Sequence, residues 1–220
     1  MFKDPTPAAP AERSYGRPDG GIRPVTLTRA VMPHASGSCQ VEFGATKLIC
    51  CATVEEGVPK WRRDAHAGWV SAEYAMLPCS TTTRSRRETS ARKGRSMEIE
   101  RLIGRSLRTV CDMKALGEYT VTVDAKKISR IPLVDQVVAL SVGMVGGRLL
   151  LDLDYSEDSQ AEIDMNLAYT GRHEFIEIQG TGERTPFSRE RLNAMLDLAE
   201  PGLQELLRIQ AECVGWKKLA

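Results

Sequence analysis

Residues 137–155 read VVALSVGMVGGRLLLDLDY, two apolar, β-rich runs flanking Gly146-Gly147. A glycine pair between two such runs suits a two-residue hairpin turn, so the segment is read as a hairpin and the chain as containing antiparallel sheet. SCQVEFGATKLICCATV, around Gly44, and MNLAYTGRHEFIEIQG read the same way. Shorter strands are expected through Val25, Leu27 and Arg29, in GWVSAEYAML with Val70, Ala72 and Tyr74 on one face, and in YTVTVD.

Two stretches carry the other periodicity. In SMEIERLIGRSLRTVCDMKAL, Ile99, Leu102, Ile103, Leu107 and Val110 follow the i, i+3, i+4 stripe of a helix. Ser96 suits its N-cap and Gly117 its end. PFSRERLNAMLDLAEPGLQELLRIQAECV is also helical, with Leu192, Met195, Leu196 and Ala199 continued by Leu203, Leu206 and Leu207. Pro201-Gly202 is expected to kink or split it. Hairpins followed by amphipathic helices make an α+β domain, helices packed on a mixed sheet. Residues 1–16, rich in Pro and Ala, are read as a loose leader and 17–220 as one domain.

Composition closes several classes. At 24.3 kDa the chain can bury a core without staples. It has no run of about 18 apolar residues for a membrane span. No apolar h-region precedes residue 20, so a cytoplasmic protein is expected. Its six cysteines show no CxxC pair and are read as reduced thiols. No GxSxG, HExxH or P-loop pattern occurs. His34, His66 and His173 lack spaced partners. Trp61, Trp69 and Trp216 suit packing anchors and base platforms equally.

The net charge of +1 hides two blocks of opposite sign. Residues 84–95, RSRRETSARKGR, hold five Arg, one Lys and one Glu, hence 6 − 1 = +5. Arginine forks match phosphate, and Gly94-Arg95-Ser96 opens the first helix, where free N–H groups favour an anion. Residues 151–164, LDLDYSEDSQAEID, hold four Asp and two Glu, hence −6. Asp158 and Asp164 fall between two expected strands, where carboxylates can converge on a hard cation. Glu157 and Glu162 are expected to face water. Each block has a plain alternative, a solvated basic or acidic loop.

In this order the segments resemble the bacterial ribonuclease PH family of phosphate-dependent 3′ exoribonucleases. The resemblance rests on GGIRPVTLTR (20–29), VEFGATK (41–47), VEEGVP (54–59), GWVSAEYAMLP (68–78), the arginine block, MEIERLIGRSLR (97–108), KALGE (114–118), LDLDYSEDSQAEIDMN (151–166), EIQGTGE (177–183) and PFSRE (186–190). It implies a fold like ribosomal protein S5 domain 2, and a homo-oligomer, a hexameric trimer of dimers. It implies 3′-terminal nucleotides of tRNA precursors and other single-stranded RNA tails as substrates. It implies inorganic phosphate as co-substrate and Mg²⁺ or Mn²⁺ as cofactor. On this chain it assigns Arg95 to the attacking phosphate and to catalysis, Arg84, Arg86 and Arg87 to RNA, and Asp158 and Asp164 to the metal and to catalysis. A non-catalytic RNA-binding subunit of the same fold is the alternative.

Two departures stand out. Cys79 occupies a position where the family's RNA-binding loop carries another arginine. VTVDA (121–125) runs straight into KKISRIPLVDQ (126–136), where the family has a Gly-Gly-Thr-Arg phosphate turn and a helix, a unit of about 30 residues. Either that unit exists in the protein without appearing between 125 and 126, or the chain lacks it. Its loss is expected to bare a large apolar sheet face, which favours the first account.

Overall fold

The computed structural model describes residues 12–81, 83–84, 94–122 and 132–215. The elements begin with β1 (Val25–Arg29), β2 (Gly37–Phe43), β3 (Thr46–Glu56), β4 (Trp69–Ser71), α1 (Gly94–Thr109) and β5 (Tyr119–Thr122). They continue with β6 (Val137–Val145), β7 (Arg148–Leu151), α2 (Tyr155–Asp158), β8 (Ile163–Thr170), β9 (Phe175–Thr181) and α3 (Arg189–Val214). The chain forms two compact units. The first comprises Met1–Thr28, Gln40–Leu48 and Asp135–Ala220, the second Arg29–Cys39 and Ile49–Val134. Among the described residues no helix is long and apolar enough to cross a membrane.

The first unit is built on an antiparallel sheet in the order β7-β6-β8-β9. Gly146 and Gly147 turn the β6–β7 hairpin with φ of 57° and 76°, values a side chain would resist. Alternation on β6 and β8 sends Val138, Leu140, Val142 and Met144, with Ile163, Met165, Leu167 and Tyr169, into one core with α3. Met195, Ala199, Leu203 and Leu206 meet them from the helix. Each fully buried aliphatic contributes about 1.5–3 kcal/mol.

Pro201 does not split α3, which runs unbroken from Arg189 to Val214. Proline forfeits one backbone hydrogen bond, but the apolar stripe on both sides of it is anchored in the same core. Gly202 is there because the helix presses on the sheet: an added Cβ would stand 2.6 Å from Leu151 Cδ2.

In the second unit β5 pairs antiparallel with β3 and parallel with β4, the parallel pair that makes the fold mixed. Val54, Val121 and Val70 stand in register and form a core with Cys111 and Leu116, against which Leu107 of α1 packs. Helix α1 starts at Gly94, so Ser96 lies inside it and is buried rather than capping it. Of the expected strand 68–77, Trp69–Ser71 forms β4, with Ser71 opposite Thr122, the last described residue of β5.

Away from the valines, the paired stretch of β3, β5 and β4 presents Thr53, Glu55, Thr120, Thr122 and Ser71, together with Trp69. Ser71 and Thr122 share a hydroxyl hydrogen bond of 3.3 Å, and Thr120 donates to the Gly57 carbonyl at 2.7 Å. Apart from Trp69 these are polar side chains, half-buried or, at Glu55, exposed. The junction of Ala125 and Lys126, where the additional segment is expected, lies outside the described residues.

Candidate active site

The acidic block is organised by buried ion pairs of the first unit. Arg13 grips Glu157 with two bonds, Nε to Oε1 at 2.7 Å and a terminal nitrogen to Oε2 at 3.0 Å. Its other donors reach the carbonyls of Pro18 and Leu151. Arg17 donates to Glu157 Oε2 at 2.6 Å and to the Asp152 carbonyl at 2.8 Å. Arg23 clasps the Asp152 carboxylate through its backbone N–H, its Nε and a terminal nitrogen. Those bonds hold Asp152 at a φ of 54°, a conformation L-residues rarely adopt. Three arginines thus face three carboxylates, Asp152, Asp154 and Glu157. The expected loose leader, 1–16, is fixed from Arg13 onward.

Glu157 and Glu162 do not face water; they are 1% and 7% exposed. Asp154 and Glu157 form a reciprocal capping box on α2, the Asp154 carboxylate accepting from the N–H groups of Ser156 and Glu157. The acid-x-x-Glu spacing of 154–157 was the legible signal for that role. Burial alone would raise the Asp154 carboxyl, but bonds from Ser156, Ser14 and the backbone overcome it and hold it at about 2, from 3.8. The lowered value stabilises the fold above pH 4, a contribution lost as pH falls through about 2. Urea titrations of wild type and Asp154→Asn at pH 5 and pH 2.5 should show a smaller pH dependence in the variant.

The anchored turn brings Asp158 within electrostatic reach of Asp164. Asp158 ends α2 and is exposed. Asp164 is half-buried on β8, in register with Gly143 and Thr181, on the strand face turned from the α3 core. Gly143 leaves no room for a Cβ against the Ile163 carbonyl. Burial raises the Asp164 carboxyl, and the negative charges of Asp158 and Glu183 raise it further; an amide bond from Asn166 at 3.3 Å opposes them weakly. Glu183 was missed from sequence. Its signal was position, two residues past Thr181, the cross-strand partner of Asp164.

Asp158 and Asp164 repel each other, and this is the charge pattern a divalent cation relieves. Among the described residues no group of three or more His, Cys, Asp or Glu is arranged to hold a metal alone. Two carboxylates nevertheless suit Mg²⁺ or Mn²⁺, which complete their shells with water and phosphate oxygens. The donor set fits such an ion.

Arg95 is the second residue of α1 and is exposed. Arg84 is exposed as well, while Arg86 and Arg87 lie outside the described residues. Arg84 and Arg95 belong to the second unit and the acidic pair to the first.

Residues 21–142 match the model described as 3′ exoribonuclease family, domain 1, and residues 135–202 match domain 2 of that family. The chain belongs to the 3′ exoribonuclease family. Solved structures agree on the fold. A chain of the Archaeoglobus fulgidus exosome with RNA bound to the active site is 20% identical, with a TM-score of 0.74 over 89% of this chain and 91% of that one. A chain of an archaeal exosome core is 18% identical, with a TM-score of 0.72 over 89% of each chain. Rice (Oryza sativa) Rrp46 is also 18% identical, with a TM-score of 0.70 over 90% of this chain and 99% of that one. The family fold is the α+β arrangement expected from the hairpins and helices, a mixed sheet with packed helices.

Proposed function

We propose that this family member is a phosphorolytic 3′–5′ exoribonuclease of ribonuclease PH type. It moves the terminal nucleotide of an RNA onto inorganic phosphate and releases a nucleoside diphosphate. The observation that carries the reading is the Asp158–Asp164 pair, two like charges held together by a turn that buried arginines make rigid. These two carboxylates would hold Mg²⁺ or Mn²⁺. The ion supplies charge neutralisation at the transferred phosphorus and at the leaving 3′ oxygen. Arg95, at the positive end of the α1 dipole, binds and orients phosphate. Arg84, Arg86 and Arg87 hold the RNA backbone. In-line attack asks for positioning and electrostatics more than for a side-chain nucleophile. By the same resemblance the substrates are tRNA precursor 3′ ends and other single-stranded tails, and the assembly is a homohexamer.

The second reading, a non-catalytic RNA-binding subunit, is favoured by one observation: the sequence carries no Gly-Gly-Thr-Arg turn after β5. Incubating the protein with a 3′-tailed RNA and Mg²⁺, with and without phosphate, separates the readings. Phosphate-dependent nucleoside diphosphates support phosphorolysis. RNA retained intact supports the binding subunit, and monophosphates exclude both.

The arginine block has its own test. Three phosphate contacts to a single strand give a log–log salt slope of about −2. Replacing Arg84, Arg86 and Arg87 together by Ala should flatten the slope of RNA affinity by about that amount. An unchanged slope removes the block from the RNA path.

A further inference from the structure

We infer that Trp61 is a stacking platform for a base of single-stranded RNA, a contact apart from both the acidic pair and the arginine block. The inference rests on the RNA-binding part of the proposed function. Lys60, Trp61, Arg62 and Arg63 open a short 3-10 turn, Lys60–Ala65, between β3 and β4. Trp61 is 66% exposed, an unusual place for so large an apolar ring. It is also held in place. Its indole meets that of Trp69 edge-on, with centroids 4.7 Å apart and planes at 84°. Trp69 is fixed in turn by β4 and by two guanidinium groups, Arg108 at 4.5 Å and Arg62 at 5.5 Å from its ring centre. Arg108 is tied to the Val70 carbonyl at 2.8 Å. The exposed ring therefore stands on a braced support, and ordering it on binding costs little side-chain entropy.

The surroundings select the ligand. Lys60, Arg62 and Arg63 outnumber Asp64 in the turn, and Arg108 adds a fourth cation. The Arg62 Nε is buried without a hydrogen-bond partner. An accessible indole among cations matches a base with its phosphate, the pairing of aromatic platform and basic track that binds single strands without regard to sequence. A second copy of this chain docking the same patch on itself would set these cations against each other.

The test measures binding of a fluorescein-labelled ten-nucleotide oligoadenylate to the full chain by anisotropy, without phosphate or Mg²⁺. Trp61→Ala should weaken binding about 5- to 150-fold, the range for losing one base–aromatic stack. Trp61→Phe should retain most of the affinity. Blunt duplex RNA, whose bases already stack internally, should bind wild type and both variants alike. Equal affinity of wild type and Trp61→Ala for the oligoadenylate overturns the inference. So does a weakened Trp61→Ala whose sedimentation mass has dropped, which makes the patch a contact between copies. Because no turnover is read, a protein that binds RNA but releases no diphosphate fails the phosphorolytic reading and leaves this one standing. A wild type that does not bind RNA ends both.

Discussion

Asp158→Asn and Asp164→Asn should each lower turnover about 100-fold or more at saturating phosphate. Losing one group that stabilises developing charge costs about 2.7–4 kcal/mol of transition-state stabilisation. The same variants should melt no lower than wild type. Asp164 is half-buried, and burial, then the negative charges of Asp158 and Glu183, raise its carboxyl. An amide there relieves repulsion while keeping shape. Nucleoside diphosphate release and thermal midpoints, measured on the same preparations, check both halves. A fall in both together would mean that the carboxylates serve the fold instead of the reaction.

Glu157→Ala should have the largest effect on stability. Removing one partner of a buried ion pair costs about 3–5 kcal/mol, because the remaining charges stay buried without compensation. Here two such charges remain, Arg13 and Arg17, both of which donate to Glu157. The helix bearing Asp158 loses its capping box as well. The urea midpoint should fall by the corresponding amount with little change in slope. A loss below about 1 kcal/mol would show that water replaces the carboxylate freely.

The hairpins at Gly44 and at Gly146-Gly147 were readable because their turns carry glycine where φ is positive, and the helices because their apolar residues recur at 3.6. The extent of β4 was not readable: its strand-like sequence continues to Leu77, but the described strand is Trp69–Ser71. Pro201 misled because propensity is local, whereas the core holding Met195 and Leu203 spans both sides of it. In the candidate site, Asp158 and Asp164 stood out as acids between strands. Glu157 did not, because what buries it lies 144 residues away at Arg13. Glu183 was equally hidden, since strand register, which sequence spacing does not state, carries it towards Asp164.

That long reach from Arg13 to Glu157 has a consequence for synthesis on the ribosome. The second unit is complete in sequence by Val134, whereas the first needs Asp135–Ala220 as well as its two earlier pieces. Contacts of high sequence separation form late, and domains emerging first tend to fold first. Arg13, Arg17 and Arg23 therefore wait as uncompensated cations until 152–157 leaves the exit tunnel. A chain stalled before that point carries a finished second unit, an unanchored basic N-terminal arm and no acidic pair. Such a nascent chain should be cut readily by protease near Arg13–Arg23, and protection there should appear only when the acidic turn arrives.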